Sequence, residues 1–157
     1  MNCQHFFKTP KSFPVPYLHL RTSALGLQAI DFTHTPGEND PLTDTMHAAI
    51  NALENYFRGT LYRFDLPLEL IGSSFQKQVW QALQSIPYAQ TRSYAQIAAQ
   101  IAKPKAYRAL GNANHANPCP IVVPCHRVVR ANSELGGYGG GVKIKAWLLD
   151  HEQHHLH

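Results

Sequence analysis

Apolar residues alternate along the early part of the chain in a way that predicts two β-strands. The alternation covers residues 17–21 and 25–32, with a turn near Thr22-Ser23, and its inward positions are Leu18, Leu20, Leu25, Leu27 and Ile30. Residues 1–16 hold three prolines and little periodicity, so they predict an irregular segment. Residues 61–66 predict a further short strand.

A helical pattern follows the loop predicted at residues 33–40. Asp40 is a candidate N-cap with Pro41 at the first helical position, and Arg58-Gly59 indicates where the helix ends. Apolar side chains recur between these signals at helical spacing, at Leu42, Met46, Ile50, Leu53 and Phe57. The first part of the chain therefore predicts a small α+β unit, and no residue in it suggests chemistry.

The second part of the chain predicts mostly helices. Capping boxes at Ser73-x-x-Gln76 and Ser93-x-x-Gln96 each open one helix. After a break at Lys103-Pro104, a third helix is predicted over residues 105–114, and a last one begins at Val142 and runs to about residue 151. The two short helices on either side of the break are typical of a helix-turn-helix.

Residues 121–129, IVVPCHRVV, combine a buried pattern with reactive side chains. The apolar residues predict a short buried strand that Pro124 ends, because proline cannot donate to a strand ladder. Cys125 would then be held rigidly where the strand gives way to a turn. His126 follows directly, and an imidazole is the usual base for making the nucleophilic thiolate.

Composition and charge place this chemistry in a basic setting. Residues 1–90 carry six Lys/Arg and seven Asp/Glu, about −1, whereas residues 91–147 carry eight Lys/Arg and only Glu134, about +7. Such a skew around a reactive cysteine indicates a polyanionic partner. Three cysteines without CxxC spacing, no signal-peptide pattern and no membrane-length apolar run predict a reduced, cytoplasmic protein.

The Pro-Cys-His-Arg-Val sequence at residues 124–128 resembles the active-site signature of the O6-alkylguanine-DNA alkyltransferases. The similarity extends almost without gaps over residues 67–152 and more loosely over residues 17–66. The further stretches that carry it are FQxxVW (75–80), IPY (86–88), TxSY (91–94), RALG (108–111), NP (117–118), GYxGG (137–141) and WLLxHE (147–152).

The resemblance implies a role for each matching residue of the reaction site. Cys125 would accept the alkyl group, and His126 would deprotonate it through a water. Glu152 would orient and stabilise the imidazole. Tyr94 matches the tyrosine that protonates the departing guanine at N3, which makes the base a better leaving group.

The resemblance also implies a DNA surface and a lesion pocket. Arg108 matches the finger that enters the base stack when the damaged nucleotide is flipped out, with the second helix of the pair in the minor groove. The implied DNA contacts are Ser93, Lys105, Arg108, Ala109, Gly111 and Arg127. The implied pocket residues are Asn117, Pro120, Val128, Tyr138 and Gly139, with Asn117 tying the helix pair to the active-site turn.

The fold implied is α+β in two parts. An N-terminal ribonuclease H-like α+β domain with a short antiparallel sheet would span residues 1–66. A mostly helical, winged-helix-like C-terminal domain with the helix-turn-helix would span residues 67–157. The implied activity is single-turnover repair of O6-alkylguanine, with O4-alkylthymine as a further candidate substrate. The implied protein is a bacterial-type monomer that acts on double-stranded DNA without a cofactor or membrane, and is nucleoid-associated when bound.

Two positions depart from some relatives. Ser23 and Gln28 stand where relatives with a structural zinc have cysteine and histidine, so no zinc site is expected even though Cys3 and His5 remain. Gly139 replaces a serine of some relatives, and the hypothesis is a pocket wider toward larger alkyl groups. Cys119 is expected to be a buried structural thiol, and the His-rich end of the chain a solvated terminus.

Three other functions compete with this interpretation. A non-enzymatic lesion sensor would bind and flip the same base but would lack the acceptor Cys125. A helix-turn-helix transcription regulator accounts for the basic half but not for Cys125, His126 and Glu152 together. A Cys–His hydrolase accounts for that set but not for Arg108 or the charge skew.

Overall fold

The computed structural model describes residues 2–132, 134–138 and 140–157. Its first part is a three-stranded antiparallel sheet of order β1-β2-β3, with β1 at Cys3–Lys8, β2 at Tyr17–Thr22 and β3 at Leu27–Thr33. The prediction of an irregular segment over residues 1–16 is wrong for β1. This strand forms because each of its residues pairs with β2, from Cys3 opposite Thr22 to Lys8 opposite Tyr17, a long-range contact that local periodicity does not show.

One face of this sheet is covered by helix α1, Asp44–Phe57. Its N-cap is Thr43, whose hydroxyl accepts from the Met46 amide, so the predicted cap at Asp40 and start at Pro41 are wrong. Asp40 instead accepts from the Gln4 amide at 2.9 Å, which fixes the loop to β1. The predicted helix end at Arg58-Gly59 is confirmed.

Two leucines predicted to face the core are exposed. Leu25 lies in the β2–β3 turn and is 70% exposed, and Leu42 precedes α1 and is 53% exposed. Among the described residues, no strand forms over residues 61–66, where one is predicted. The chain meets the sheet just after this segment, at a bridge between Leu27 and Leu68. Gly26 permits that approach, because a Cβ there would lie 2.5 Å from the Pro67 carbonyl oxygen.

Within its described residues, the second part of the chain contains four α-helices and two very short strands. The helices are α2 Ser74–Gln84, α3 Tyr94–Gln100, α4 Tyr107–His115 and α5 Val142–His155, and the parallel strands are β4 Arg92–Ser93 and β5 Val128–Val129. Both predicted capping boxes are present, at Ser73 and Ser93. Helices α3 and α4 pack together as the predicted helix-turn-helix, and both also contact α2.

The strand predicted over residues 121–124 is wrong. These residues form a buried turn in which Ile121 has a φ of 75°, and Cys125–Arg127 then form one turn of 3-10 helix. Every residue from 121 to 129 is buried, and burial alone accounts for the apolar run without an extended backbone. The extended segment is the pair Val128–Val129, which lies beside Arg92–Ser93.

Helix α5 is longer than predicted, because it continues to His155. His151 and Glu152 are buried inside it, so the expectation of a solvated His-rich terminus is wrong for these residues. One hydrophobic core runs through both parts of the chain. The predicted α+β class, with an antiparallel sheet followed by helices, is confirmed. No helix in the described ranges is long and apolar enough to cross a membrane.

Candidate active site

Cys125 begins the 3-10 turn and lies at the wall of a cleft. Its amide donates to the Val123 carbonyl at 2.8 Å, and the residue is only 4% exposed. The cleft has a volume of about 480 Å³. Side chains from both parts of the chain line it, among them Phe32, Asn117, Pro120, Cys125 and Tyr138.

Asn117 holds the turn that carries Cys125. Its side-chain amide donates to the Val123 carbonyl at 2.7 Å, and its side-chain oxygen accepts from the Cys119 amide at 3.0 Å. Asn117 follows α4 and bonds to the cysteine turn, in the position that the resemblance implies. Cys119 is fully buried, and burial raises the pKa of its thiol to about 12, which makes it a poor nucleophile.

A buried carboxylate organises the residues behind Cys125. Glu152 has no exposed surface, and its Oε2 lies 2.6 Å from His126 Nε2 and accepts from the Tyr56 hydroxyl at 2.7 Å. Its Oε1 accepts from Arg127 Nε at 2.8 Å and from the Ala89 amide at 3.1 Å. The His126–Glu152 contact that the resemblance implies is therefore present within a larger network.

Arg127 does not face solvent, so its prediction as a DNA contact is wrong. The residue is 5% exposed, and its three guanidinium nitrogens all donate within the protein. Nε and Nη2 bind Glu152, and Nη1 donates to the Ile86 carbonyl at 2.7 Å. The sequence does not predict this ion pair, because its carboxylate partner, Glu152, lies 25 residues away along the chain.

The charges of this network follow from burial and pairing. Burial alone would raise the pKa of Glu152, but His126 and Arg127 hold it well below its usual value. Burial lowers the pKa of His126, and the nearby Glu152 only partly opposes this. A neutral imidazole whose Nε2–H donates to a carboxylate keeps its Nδ1 lone pair as the proton acceptor.

The thiol of Cys125 is surrounded by groups that respond to its charge. Burial raises its pKa, whereas the Asn117 amide, the Tyr138 hydroxyl and the Lys145 charge act in the opposite direction. Lys145 is fully buried, and its Nζ donates to the Val128 carbonyl at 2.6 Å. Sequence reasoning missed Lys145, although its spacing of three residues before the buried Leu148 places it on the inner face of α5.

The remaining predicted pocket and proton-donor residues lie near this turn. Tyr94 begins α3 and is half-buried, which raises the pKa of its hydroxyl. Its hydroxyl is close to Gly136, where an added Cβ would lie 3.3 Å away. Tyr138 and Val128 are buried. Gly139 lies outside the described residues, as does Ser133.

The predicted DNA contacts at α4 and just before it are mostly exposed. Lys105, Arg108 and Ala109 are exposed, and a Cβ added at Gly111 would meet no atom within 4 Å. Ser93 is half-buried and caps α3 with its hydroxyl. The β4–β5 pairing places Ser93 opposite Val129, so the helix pair is joined directly to the strand that follows Cys125.

Ser23 and Gln28, where no zinc ligand is expected from the resemblance, belong to a hydrogen-bonded cluster. Ser23 donates to Glu69 at 2.7 Å, and Gln28 donates to the same oxygen at 2.8 Å. Within the part of the chain that the structure describes, no group of three or more His, Cys, Asp or Glu side chains could hold a metal ion.

Comparison with known proteins links this geometry to a family. Residues 74–154 match the family described as 6-O-methylguanine DNA methyltransferase, DNA binding domain. A Mycobacterium leprae protein named methylated-DNA–protein-cysteine methyltransferase is 46% identical over 132 residues, which cover 83% of this chain and 80% of that protein. A protein of the same name from Methanosarcina barkeri is 51% identical over 108 residues, covering 69% and 68% of the two chains.

Solved structures give the same result for the whole fold. The Mycobacterium tuberculosis O6-methylguanine methyltransferase has a TM-score of 0.86 at 38% identity, covering 100% of this chain and 96% of that one. The structure of Mycobacterium tuberculosis OGT in complex with DNA has a TM-score of 0.85 at 39% identity, covering 97% and 93%.

Proposed function

This chain belongs to the family of methylated-DNA–protein-cysteine methyltransferases, and on that premise we propose that it repairs O6-alkylguanine in duplex DNA by transferring the alkyl group to Cys125. The observation that carries the proposal is the position of Cys125. It lies at a cleft wall, next to a histidine that a fully buried glutamate holds at 2.6 Å.

The chemistry begins with proton removal. His126 Nδ1 takes the thiol proton of Cys125 through a water, and the imidazolium that forms is stabilised by Glu152 across the bond at 2.6 Å. The thiolate then attacks the sp³ carbon attached to guanine O6. The new S–C bond forms as the C–O bond breaks, and the electron pair of that bond goes to the base.

Tyr94 completes the proton balance. The departing guanine takes a proton at N3 from the Tyr94 hydroxyl, because a neutral base leaves more readily than its anion. Burial raises the pKa of Tyr94, which keeps this proton in place until negative charge develops on the base. The product is a thioether, which water does not cleave as it cleaves a thioester. Each molecule therefore acts once, and the alkyl donor is the DNA itself.

The exposed face of α4 binds DNA in the minor groove. Arg108 enters the base stack in place of the flipped nucleotide. Two features of the helix support this: Arg108 is exposed, and the small residues Ala109 and Gly111 leave room for a groove wall. Lys105 and Ser93 contact the DNA backbone. Asn117, Pro120, Val128 and Tyr138 form the pocket for the flipped base. O4-alkylthymine is a second candidate substrate for the same pocket.

Intact-protein mass after incubation with a duplex that carries one O6-methylguanine tests the proposal. We expect one added methyl per protein, located on Cys125, and none in Cys125→Ser. Tight binding of the lesion duplex without a mass change would instead support a lesion sensor. Neither binding nor mass change would favour the regulator or hydrolase interpretations.

A further inference from the structure

The N-terminal part of the chain supplies one hydrogen bond to the reaction network. Tyr56 lies on α1, yet its hydroxyl donates to Glu152 Oε2 at 2.7 Å across 96 residues of sequence. The same oxygen binds His126 Nε2 at 2.6 Å and Arg127 Nη2 at 3.0 Å. Tyr56 therefore shares its acceptor atom with the residue that we propose as the base.

The Tyr56 side chain has little freedom to take another position. It has no exposed surface, and its ring packs against Phe64 at 5.5 Å and His151 at 5.2 Å between ring centres. His151 Nε2 also lies 2.7 Å from the Tyr56 backbone carbonyl oxygen, which ties α1 to α5 at the same level. The hydroxyl and the backbone carbonyl of Tyr56 thus both bond to α5, the helix that carries Glu152.

We propose that Tyr56 is a positioning residue that sets the proton affinity of His126 through Glu152. The inference rests on the proposed role of His126 as the base that activates Cys125. Nothing in the sequence pattern assigns chemistry to α1, and this contact gives the N-terminal part a defined share in the reaction.

The physical reason is competition for one carboxylate oxygen. A hydroxyl donor withdraws part of the negative charge that Glu152 Oε2 would otherwise offer to His126. Without it, the carboxylate binds the imidazolium more strongly, and His126 becomes easier to protonate. Since only the neutral imidazole can accept the thiol proton, less of the protein is then competent in mildly acidic solution.

Several other titratable groups lie near His126 and Glu152, on the elements packed around them. They are Tyr88 after α2, Cys125 and Arg127 on the 3-10 turn, Tyr138 after β5, and Lys145 and His151 on α5. Tyr56 itself stays neutral, because burial and the neighbouring Glu152 raise its pKa well above the usual value. Its hydroxyl is therefore a donor across the whole pH range of the experiment.

Tyr56→Phe and Tyr62→Phe form a matched pair. Each removes one tyrosine hydroxyl that donates to α5, but Tyr62 donates to the His155 carbonyl and does not touch Glu152. The measurement is the single-turnover rate of methyl transfer from the lesion duplex between about pH 5 and pH 8.5, with thermal melting as a check on folding. For Tyr56→Phe we expect the acid limb to move to higher pH by about 0.5–1 pH unit, the scale of the net contribution of one hydrogen bond. Tyr62→Phe should keep the wild-type limb.

An acid limb that stays in place in Tyr56→Phe, or that moves equally in both variants, would overturn the inference. Histidine ¹⁵N chemical shifts provide a second readout that needs no activity, with the His126 signal assigned by its loss in His126→Asn. The expected result is a higher pKa for His126 in Tyr56→Phe than in the wild type, and an equal pKa would contradict it. If the wild type itself transfers no methyl group, the proposed function fails, whereas the ¹⁵N result still decides whether Tyr56 acts on His126.

Discussion

The buried network behind Cys125 and the exposed face of α4 use the same residue type for opposite purposes. Arg127 is 5% exposed, and all three of its guanidinium nitrogens donate hydrogen bonds to acceptors inside the protein. Arg108 is exposed on α4, two residues from the buried Leu110. An arginine in a basic stretch can thus serve the folded state or a ligand, and the protein atoms around it decide which. The comparison predicts different losses from equivalent substitutions.

The largest effect is expected from removing the buried arginine. Arg127→Met keeps an unbranched side chain of similar length but leaves Glu152 without its cationic partner. Breaking a buried ion pair from one side costs about 3–5 kcal/mol in free energy of unfolding. Chemical denaturation followed by circular dichroism measures this, and a loss below about 1 kcal/mol would mean that the pair is not desolvated as the structure shows.

Acid should weaken the buried network behind Cys125. Glu152 has a depressed pKa when folded, so its contribution to stability is complete above its unfolded value of about 4.3 and is lost as the pH falls toward the folded value. His126 also has a lowered pKa, so below about pH 6.5 the unfolded state binds more protons and stability falls. We expect a loss of more than about 2 kcal/mol between pH 7 and pH 3.

Denaturation at a series of pH values measures this slope. In Glu152→Gln the part of the decline below about pH 4.3 should become shallower, since the titrating carboxylate is gone. A variant that keeps the wild-type slope would show that other carboxylates dominate acid unfolding.

The same substitution at the exposed arginine should spare stability and reduce repair. For Arg108→Met we expect a change of less than about 0.5 kcal/mol in unfolding, as for surface residues in general. Methyl transfer from duplex DNA should slow by about 10- to 100-fold, because the flipped state loses the side chain that fills the stack. Transfer from free O6-benzylguanine needs no flipping and is the control. Equal slowing on both substrates would place the defect in the reaction site instead.

The smallest effect is expected at Gly111. Because nothing lies within 4 Å of a Cβ there, Gly111→Ala should fit the free protein and raise the stability of α4 by about 0.5–1 kcal/mol. The added methyl group would project from the face that we propose lies in the minor groove. Melting temperature and duplex affinity should therefore change in opposite directions, and an increase in both would exclude close approach of DNA at this position.

Sequence signals that act over three or four residues predicted the helical part well. The capping boxes at Ser73 and Ser93 are present as predicted, because a cap hydroxyl and its amide partner are close in sequence. The α1 start was misplaced since Asp40-Pro41 resembles a helix start equally well, and only the loop contact of Asp40 with Gln4 decides between them.

Features built from distant residues could not be read from the sequence. Strand β1 exists through its partner β2, and the turn at residues 121–124 is buried like a strand but is not extended. For the site, the position of His126 directly after Cys125 predicts it as the base and the resemblance predicts Glu152, whereas neither predicts Tyr56 or Lys145. One feature of the sequence does point to Tyr56. It lies three residues after the buried Leu53 on α1, so it faces the core, and a buried tyrosine hydroxyl requires a hydrogen-bond partner.

The bonds to Glu152 also bear on how the chain folds. They close loops of 96, 63 and 26 residues, to Tyr56, Ala89 and His126. Contacts of such separation carry a large loop-closure entropy, and a carboxylate loses its water only when its partners have arrived. We therefore expect helices α2 and α3, which begin from local capping boxes, to form early and the Glu152 network to assemble late in folding. A chain that is still folding would therefore carry Cys125 without an organised base beside it.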